Sequence, residues 1–107
     1  MKLKILFFLS LFSAAVECDP IWSDYTEITN LYPTDYGLAF NTLYKNLELS
    51  SCDGGTRFIL NKDSAEYNTQ VSVLIAAFMA QKRVNLYIED LPAKCFATVI
   101  RFRVARY

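Results

Sequence analysis

The first fifteen residues constrain everything that follows them. Met1-Lys2-Leu3-Lys4 is a short positive stretch and Ile5 to Phe12 is an apolar run. Ser13-Ala14-Ala15 puts small residues where a signal peptidase needs them. The run is too short to span a bilayer, which takes ~20 residues. This pattern predicts a secretion signal over 1–15 and a single mature domain over 16–107. The product is then secreted or periplasmic, and its cysteines meet an oxidising compartment.

Removing fifteen of the 107 residues leaves 92. Such a chain supports one modest core and gains from a covalent staple. Its three cysteines, Cys18, Cys52 and Cys95, are an odd number. Cleavage after Ala15 keeps all three, whereas cleavage after Cys18 keeps two. A lipoprotein signal needs a small residue before its cysteine, and Glu17 is not small. Cys18 sits in an irregular lead-in while the other two flank strands, so the natural pair is Cys52 with Cys95. Cys18 is then free or paired between chains. Losing Lys2 and Lys4 leaves nine basic residues against eleven acidic ones. That balance attracts neither nucleic acid nor an anionic membrane.

Hydrophobic periodicity gives the order of elements. Cys18 to Asp24 reads as irregular, because Asp19-Pro20 disfavours helix. Tyr25–Leu31 is β-rich, Tyr32 to Gly37 is a turn, and Leu38–Tyr44 is the returning strand. A loop over 45–55 leads to a strand over Thr56–Leu60, with Phe58 and Leu60 on one face and Arg57 and Ile59 on the other. Asp63 and Glu66 are spaced as a capping box. They predict a helix over Ser64–Gln81, with Tyr67, Val71, Leu74, Ile75 and Phe78 as its core stripe. Arg83–Glu89 alternates, with Val84, Leu86 and Ile88 inward and Asn85 and Tyr87 outward. After a turn at 90–94, Phe96–Ala105 is the last strand, with Arg101 and Arg103 outward. The order β-β-β-α-β-β is that of a five-stranded OB-fold-like Greek-key barrel. An open α+β sandwich with the same order competes with it.

The chain has no histidine, which removes the commonest general base and most zinc sites. Its carboxylates show no catalytic spacing, so a carboxylate hydrolase finds no support and solvated surface charge explains them. Asp53-Gly54-Gly55 precedes a strand and lacks a phosphate-loop lysine, so it reads as a turn. No catalytic residue, metal site or cofactor is predicted, and the chain reads as a non-enzyme.

Two features point to binding. Trp22, Tyr25, Tyr32, Tyr36 and Tyr44 crowd the first hairpin, and aromatic faces with polar tips suit sugars and protein surfaces. Wall packing is the plainer use of the same residues. Arg101, Arg103 and Arg106 form a basic row on the last strand, which is either an anion or sialic-acid contact or a solvated face. From Tyr67 through Gln81 the helix carries no charged residue. Its face of Val73, Ala76, Ala77 and Ala80 therefore reads as a contact between subunits. Cover by the chain's own 18–24 and 45–55 segments is the alternative.

From Cys52 to about Val104 the chain resembles the small secreted bacterial OB-fold proteins related to toxin binding subunits, the pertussis-like and subtilase cytotoxin B subunits. The residues carrying the resemblance are Cys52, Thr56-Arg57-Phe58-Ile59-Leu60, Leu74 and Ala77 of the helix, and Gln81 through Ile88 leading to Cys95. Relatives often have glycine where Gln81 stands, so this helix is expected to end by another route. The resemblance implies a Cys52–Cys95 link, a homo-oligomer such as a ring-shaped pentamer with helices at its centre, and glycan binding in the toxin members. It supplies no sugar-contacting residue here. The resulting expectation is an exported, self-associating binding module for a cell-surface glycan or a secreted protein. The alternative is an orphan periplasmic protein acting as inhibitor or structural partner of another protein.

Overall fold

The computed structural model describes residues 20–107. The signal predicted over 1–15 and Cys18 lie outside the described residues. Six strands form one mixed sheet with one α-helix. The strands are β1 (Ile21–Trp22), β2 (Thr26–Thr34), β3 (Gly37–Thr42), β4 (Arg57–Asn61), β5 (Arg83–Ile88) and β6 (Ala97–Val104). The helix α1 (Tyr67–Met79) lies between β4 and β5. The pairings return to their start, running β2–β3–β4–β6–β5–β2. All are antiparallel except β4 with β6.

The strand count differs from the predicted five because the lead-in is not irregular throughout. Ile21 and Trp22 pair with Ile88 and Tyr87, and Thr26 and Glu27 pair with Val84 and Arg83. Since β6 holds the other edge of β5 along its length, β1 and β2 lie in succession on one edge. Between them the chain bulges by one residue at Ser23-Asp24-Tyr25, as the two registers show. Buried polar groups tie the bulge down. Ser23 N–H donates to Leu86 C=O at 2.7 Å. Leu86 N–H donates to Ser23 Oγ at 2.8 Å, and Asn85 Nδ2 donates to Ser23 C=O. Asn85, predicted to face water, is therefore buried.

Inside the ring sit Phe40, Phe58, Leu60, Leu86 and Ile88, with Leu74 of α1 against them. Strand β3 is buried on both faces. Its outer Asn41 is covered by the 43–56 connection, where Asn41 Nδ2 donates to Asp53 and to Thr56 Oγ1, each at 3.0 Å. Ile59, predicted on the outer face, is buried as well. The β2–β3 turn is shorter than predicted. The ladder runs to Thr34↔Gly37, leaving only Asp35 and Tyr36 as turn residues. Gly37 has φ +145, and a Cβ there would collide with the Leu60 carbonyl oxygen on β4. No other residue type fits there without a shift of the strand.

The helix is thirteen residues long, not eighteen. The predicted capping box does not form, and Glu66 itself is the N-cap, with no side-chain cap. Asn61 Oδ1 instead accepts the Asp63 N–H and Ser64 Oγ accepts the Glu66 N–H. These local bonds hold 61–66 in turns. The core side of α1 is Leu74 and Ala77, flanked by Tyr67, Val71 and Phe78. Ile75 is exposed, contrary to the predicted stripe. Ala77, predicted at a subunit contact, is only 3% exposed and belongs to the chain's own core. The helix C-terminus takes the glycine route without glycine. Gln81 has φ +57, its N–H bonds Phe78 C=O, and Lys82 N–H bonds Ala77 C=O. That is the double bond pattern of a left-handed helix cap.

Cys52 and Cys95 are joined, as predicted, with Cα atoms 4.7 Å apart. The bridge fastens the 43–56 connection to the segment entering β6, beside a parallel contact of Ser50 with Lys94. No helix among the described residues is long and apolar enough to cross a membrane.

Candidate arginine–aromatic wall and helix–strand cleft

The pairing of β1 with β5 and of β5 with β6 builds one outer wall. Trp22 lies opposite Tyr87, and Tyr87 opposite Arg101. Arg103, two residues along β6, shares the face with Arg101. The Trp22 and Tyr87 rings are 4.4 Å apart at 35°. The Arg101 guanidinium lies over Tyr87 at 5.1 Å, and that of Arg103 over Trp22 at 4.2 Å. Each contact contributes ~0.5–1 kcal/mol at an exposed site. A guanidinium over a ring keeps its N–H donors, and their planar fork suits carboxylates and other oxyanions. Among the described residues the only ion pair is Asp53–Arg57, so neither wall arginine has a carboxylate within 4.0 Å.

Three of the predicted ligand-binding residues thus meet: Trp22, Arg101 and Arg103. The other three do not join them. Tyr25 is exposed in the bulge before β2. Tyr36 stands on the β2–β3 turn and lines a separate hollow of about 260 Å³ with Ile59, Cys95 and Phe96. Tyr44 is half-buried against Phe58, ring centroids 6.2 Å apart, and its hydroxyl accepts Asn46 Nδ2, so it is wall material. Sequence reasoning missed Tyr87 as a site residue. The alternation of 83–89 placed it outward, but only the pairing of β5 with β1 and β6 puts it between a tryptophan and an arginine.

A cleft of about 500 Å³ adjoins the wall. Gln70 and Val73 of α1 form one side, and Ile100, Arg101 and Phe102 of β6 the other. Gln70 Nε2 donates to Ile100 C=O at 2.9 Å, while Gln70 Oε1 is buried without a partner. The helix residues predicted at a subunit contact divide. Val73, Ala76 and Ala80 are exposed, beside exposed Ile75 and Met79, while Ala77 is not.

The connection to β4 holds the strongest local electrostatics. Asp53 accepts Asn41 Nδ2, Arg57 Nε at 2.9 Å and Arg57 Nη2 at 2.6 Å. The Asn41 hydrogen bond, then those from Arg57, hold its carboxyl below the ordinary aspartate value. Arg57 also reaches Cys95 Sγ at 3.2 Å and lies over Phe96. This cluster is a brace for the disulfide loop, since its bonds tie Asn41 of β3, Asp53 of the connection and Arg57 of β4 to Cys95. No group of three cysteine, aspartate or glutamate residues among the described residues is placed to hold a metal. Comparison with family models, curated protein sequences and solved structures finds no match.

Proposed function

We propose that this chain is an exported, non-enzymatic binding module of OB-fold type that recognises a carboxylate-bearing sugar on its Trp22–Tyr87–Arg101–Arg103 wall. The observation carrying the reading is the pair of guanidiniums that lie over aromatic rings and lack carboxylate partners among the described residues. Counting β1 and β2 as one bulged strand supports the architecture. Five strands then close in the order β-β-β-α-β-β, with the helix after the third. The leader over 1–15 and the Cys52–Cys95 bridge support export. Kinship with toxin binding subunits rests on the sequence resemblance alone. Self-association along the uncharged, exposed Val73, Ala76 and Ala80 face of α1 belongs to the same proposal.

The wall favours an acidic sugar over a neutral one for a geometric reason. Neutral sugars stack on open aromatic faces, but here the Trp22 and Tyr87 rings already carry guanidiniums. A glycan array with the mature protein tests this. Acidic glycans should bind and neutral ones should not. Arg103→Lys and Trp22→Ala should each weaken binding about tenfold or more, as loss of an anchor costing ~2 kcal/mol would. Equal binding of neutral glycans, or unchanged affinity in Arg103→Lys, refutes the assignment.

A further inference from the structure

Among the described residues, strand β6 has one edge that no strand fills. It pairs with β5 from Val99 to Val104, but with β4 only at Ala97 and Thr98. The phase of the ladder is fixed by the partners of Ala105 and Leu86. Ala105 N–H donates to Arg83 C=O, so Ala105 faces β5. Leu86, opposite Phe102, gives its N–H and C=O to Ser23 on the far side. Phe102 and Val104 therefore turn their N–H and C=O away from β5, toward the open edge. Helix α1 runs beside that edge, and the cleft lies between them. A side-chain amide already bonds to this edge, since Gln70 Nε2 donates to Ile100 C=O.

We infer that this cleft receives an extended peptide strand from another protein, which adds to the free edge of β6. Its main chain would pair with Phe102, and an apolar side chain would rest on Val73 and Phe102. Arg101 at the rim selects an acidic residue at the next position, on the opposite face of the added strand. Main-chain pairing supplies affinity in such recognition and the alternating side chains supply selectivity.

A second copy of this chain is the poorer occupant: β6 paired with its own copy about Phe102 would set Arg101 opposite Arg103, and the outer edge of β2 is blunted. Lys62 N–H donates to Tyr36 C=O, which turns Leu38 toward β4. Pro33, opposite Leu38, thus directs its nitrogen to the outer edge of β2, where it offers no donor. This inference is independent of the acidic-sugar reading, although Arg101 borders both sites, and it is an alternative to self-association at Val73, which lines the cleft.

Panning a displayed random decapeptide library on the oxidised protein tests it. Enriched sequences should alternate apolar and polar residues with one carboxylate. Synthetic versions should bind at least tenfold more weakly to Thr69→Lys, an exposed change in the cleft, and equally well to Trp22→Ala. N-methylation of the peptide on the edge-facing phase should abolish binding, and on the other phase should change it less than twofold. Absence of enrichment over Thr69→Lys overturns the inference, as does equal tolerance of both methylation phases. A wild-type oligomer that Thr69→Lys dissociates also overturns it and gives the cleft to a second copy.

Discussion

Breaking the Cys52–Cys95 bridge should remove a third or more of the stability of this domain. The bridged residues are 43 positions apart. In the chain-entropy treatment, closing a loop of that size restricts the unfolded chain by ~4 kcal/mol. A domain of this length has a total stability of ~5–13 kcal/mol, at ~0.05–0.15 kcal/mol per residue. The clean comparison is Cys18→Ser, oxidised, against Cys18→Ser with Cys52→Ser and Cys95→Ser. The serine hydroxyl at 95 leaves Arg57 an acceptor near its present position, so the bracing cluster of Asp53 and Asn41 is disturbed little. Urea unfolding followed by tryptophan fluorescence reads the difference through Trp22. With an m-value of ~1–2 kcal/mol/M, the midpoint should fall by ~2–4 M. A loss below about 1 kcal/mol would refute the reasoning. It would mean that the unfolded chain already keeps the two segments together, or that the bonded native state carries compensating strain.

Three other outcomes follow from the geometry. Gln81→Gly should stabilise the protein by ~0.5–1 kcal/mol. The left-handed cap costs a non-glycine residue ~1–2 kcal/mol, and glycine returns part of that as unfolded-chain entropy; a lower melting temperature would show that the Gln81 side chain contributes more than its backbone costs. Asp53 titrates below its ordinary value near 3.8, so its contribution is complete above that value and is lost as pH falls through the lower folded value. The stability gap between wild type and Asp53→Asn, measured by denaturant titration, should be widest near neutrality and close in strong acid; a gap independent of pH would refute the assignment. If α1 seats a second copy, Ala76→Glu should convert the assembly to folded monomers in light scattering, and a wild type that is monomeric at high concentration removes self-association altogether.

The order of elements was legible because each strand has its own pattern. Val84, Leu86 and Ile88 alternate, the helix repeats at three and four, and the cysteines flank the strands they join. What stayed hidden lies in pairings between distant segments. Asn85 looks solvent-facing in its own strand, and only the Ser23 bulge on a strand some sixty residues earlier explains its burial. Ala77 is small enough to suit core or interface, and its place was decided by how closely α1 lies on the sheet. The capping residues misled because asparagine and serine side chains captured the backbone donors one turn early. The arginine–aromatic wall combines three strands, so neither the aromatic crowd nor the arginine row disclosed it alone.

The succession of β1 and β2 on one edge of β5 also sets a timetable. The first strands to leave the ribosome have no partner for one edge until residues 83–88 follow, and β4 waits for residues 97 and 98. Nothing closes until the last quarter of the chain has been made. Pairings so far apart in sequence form slowly, because the loop entropy is spent before the contacts return it. For much of its synthesis the polypeptide can therefore hold the β2–β3–β4 meander, while the ring stays open on both sides.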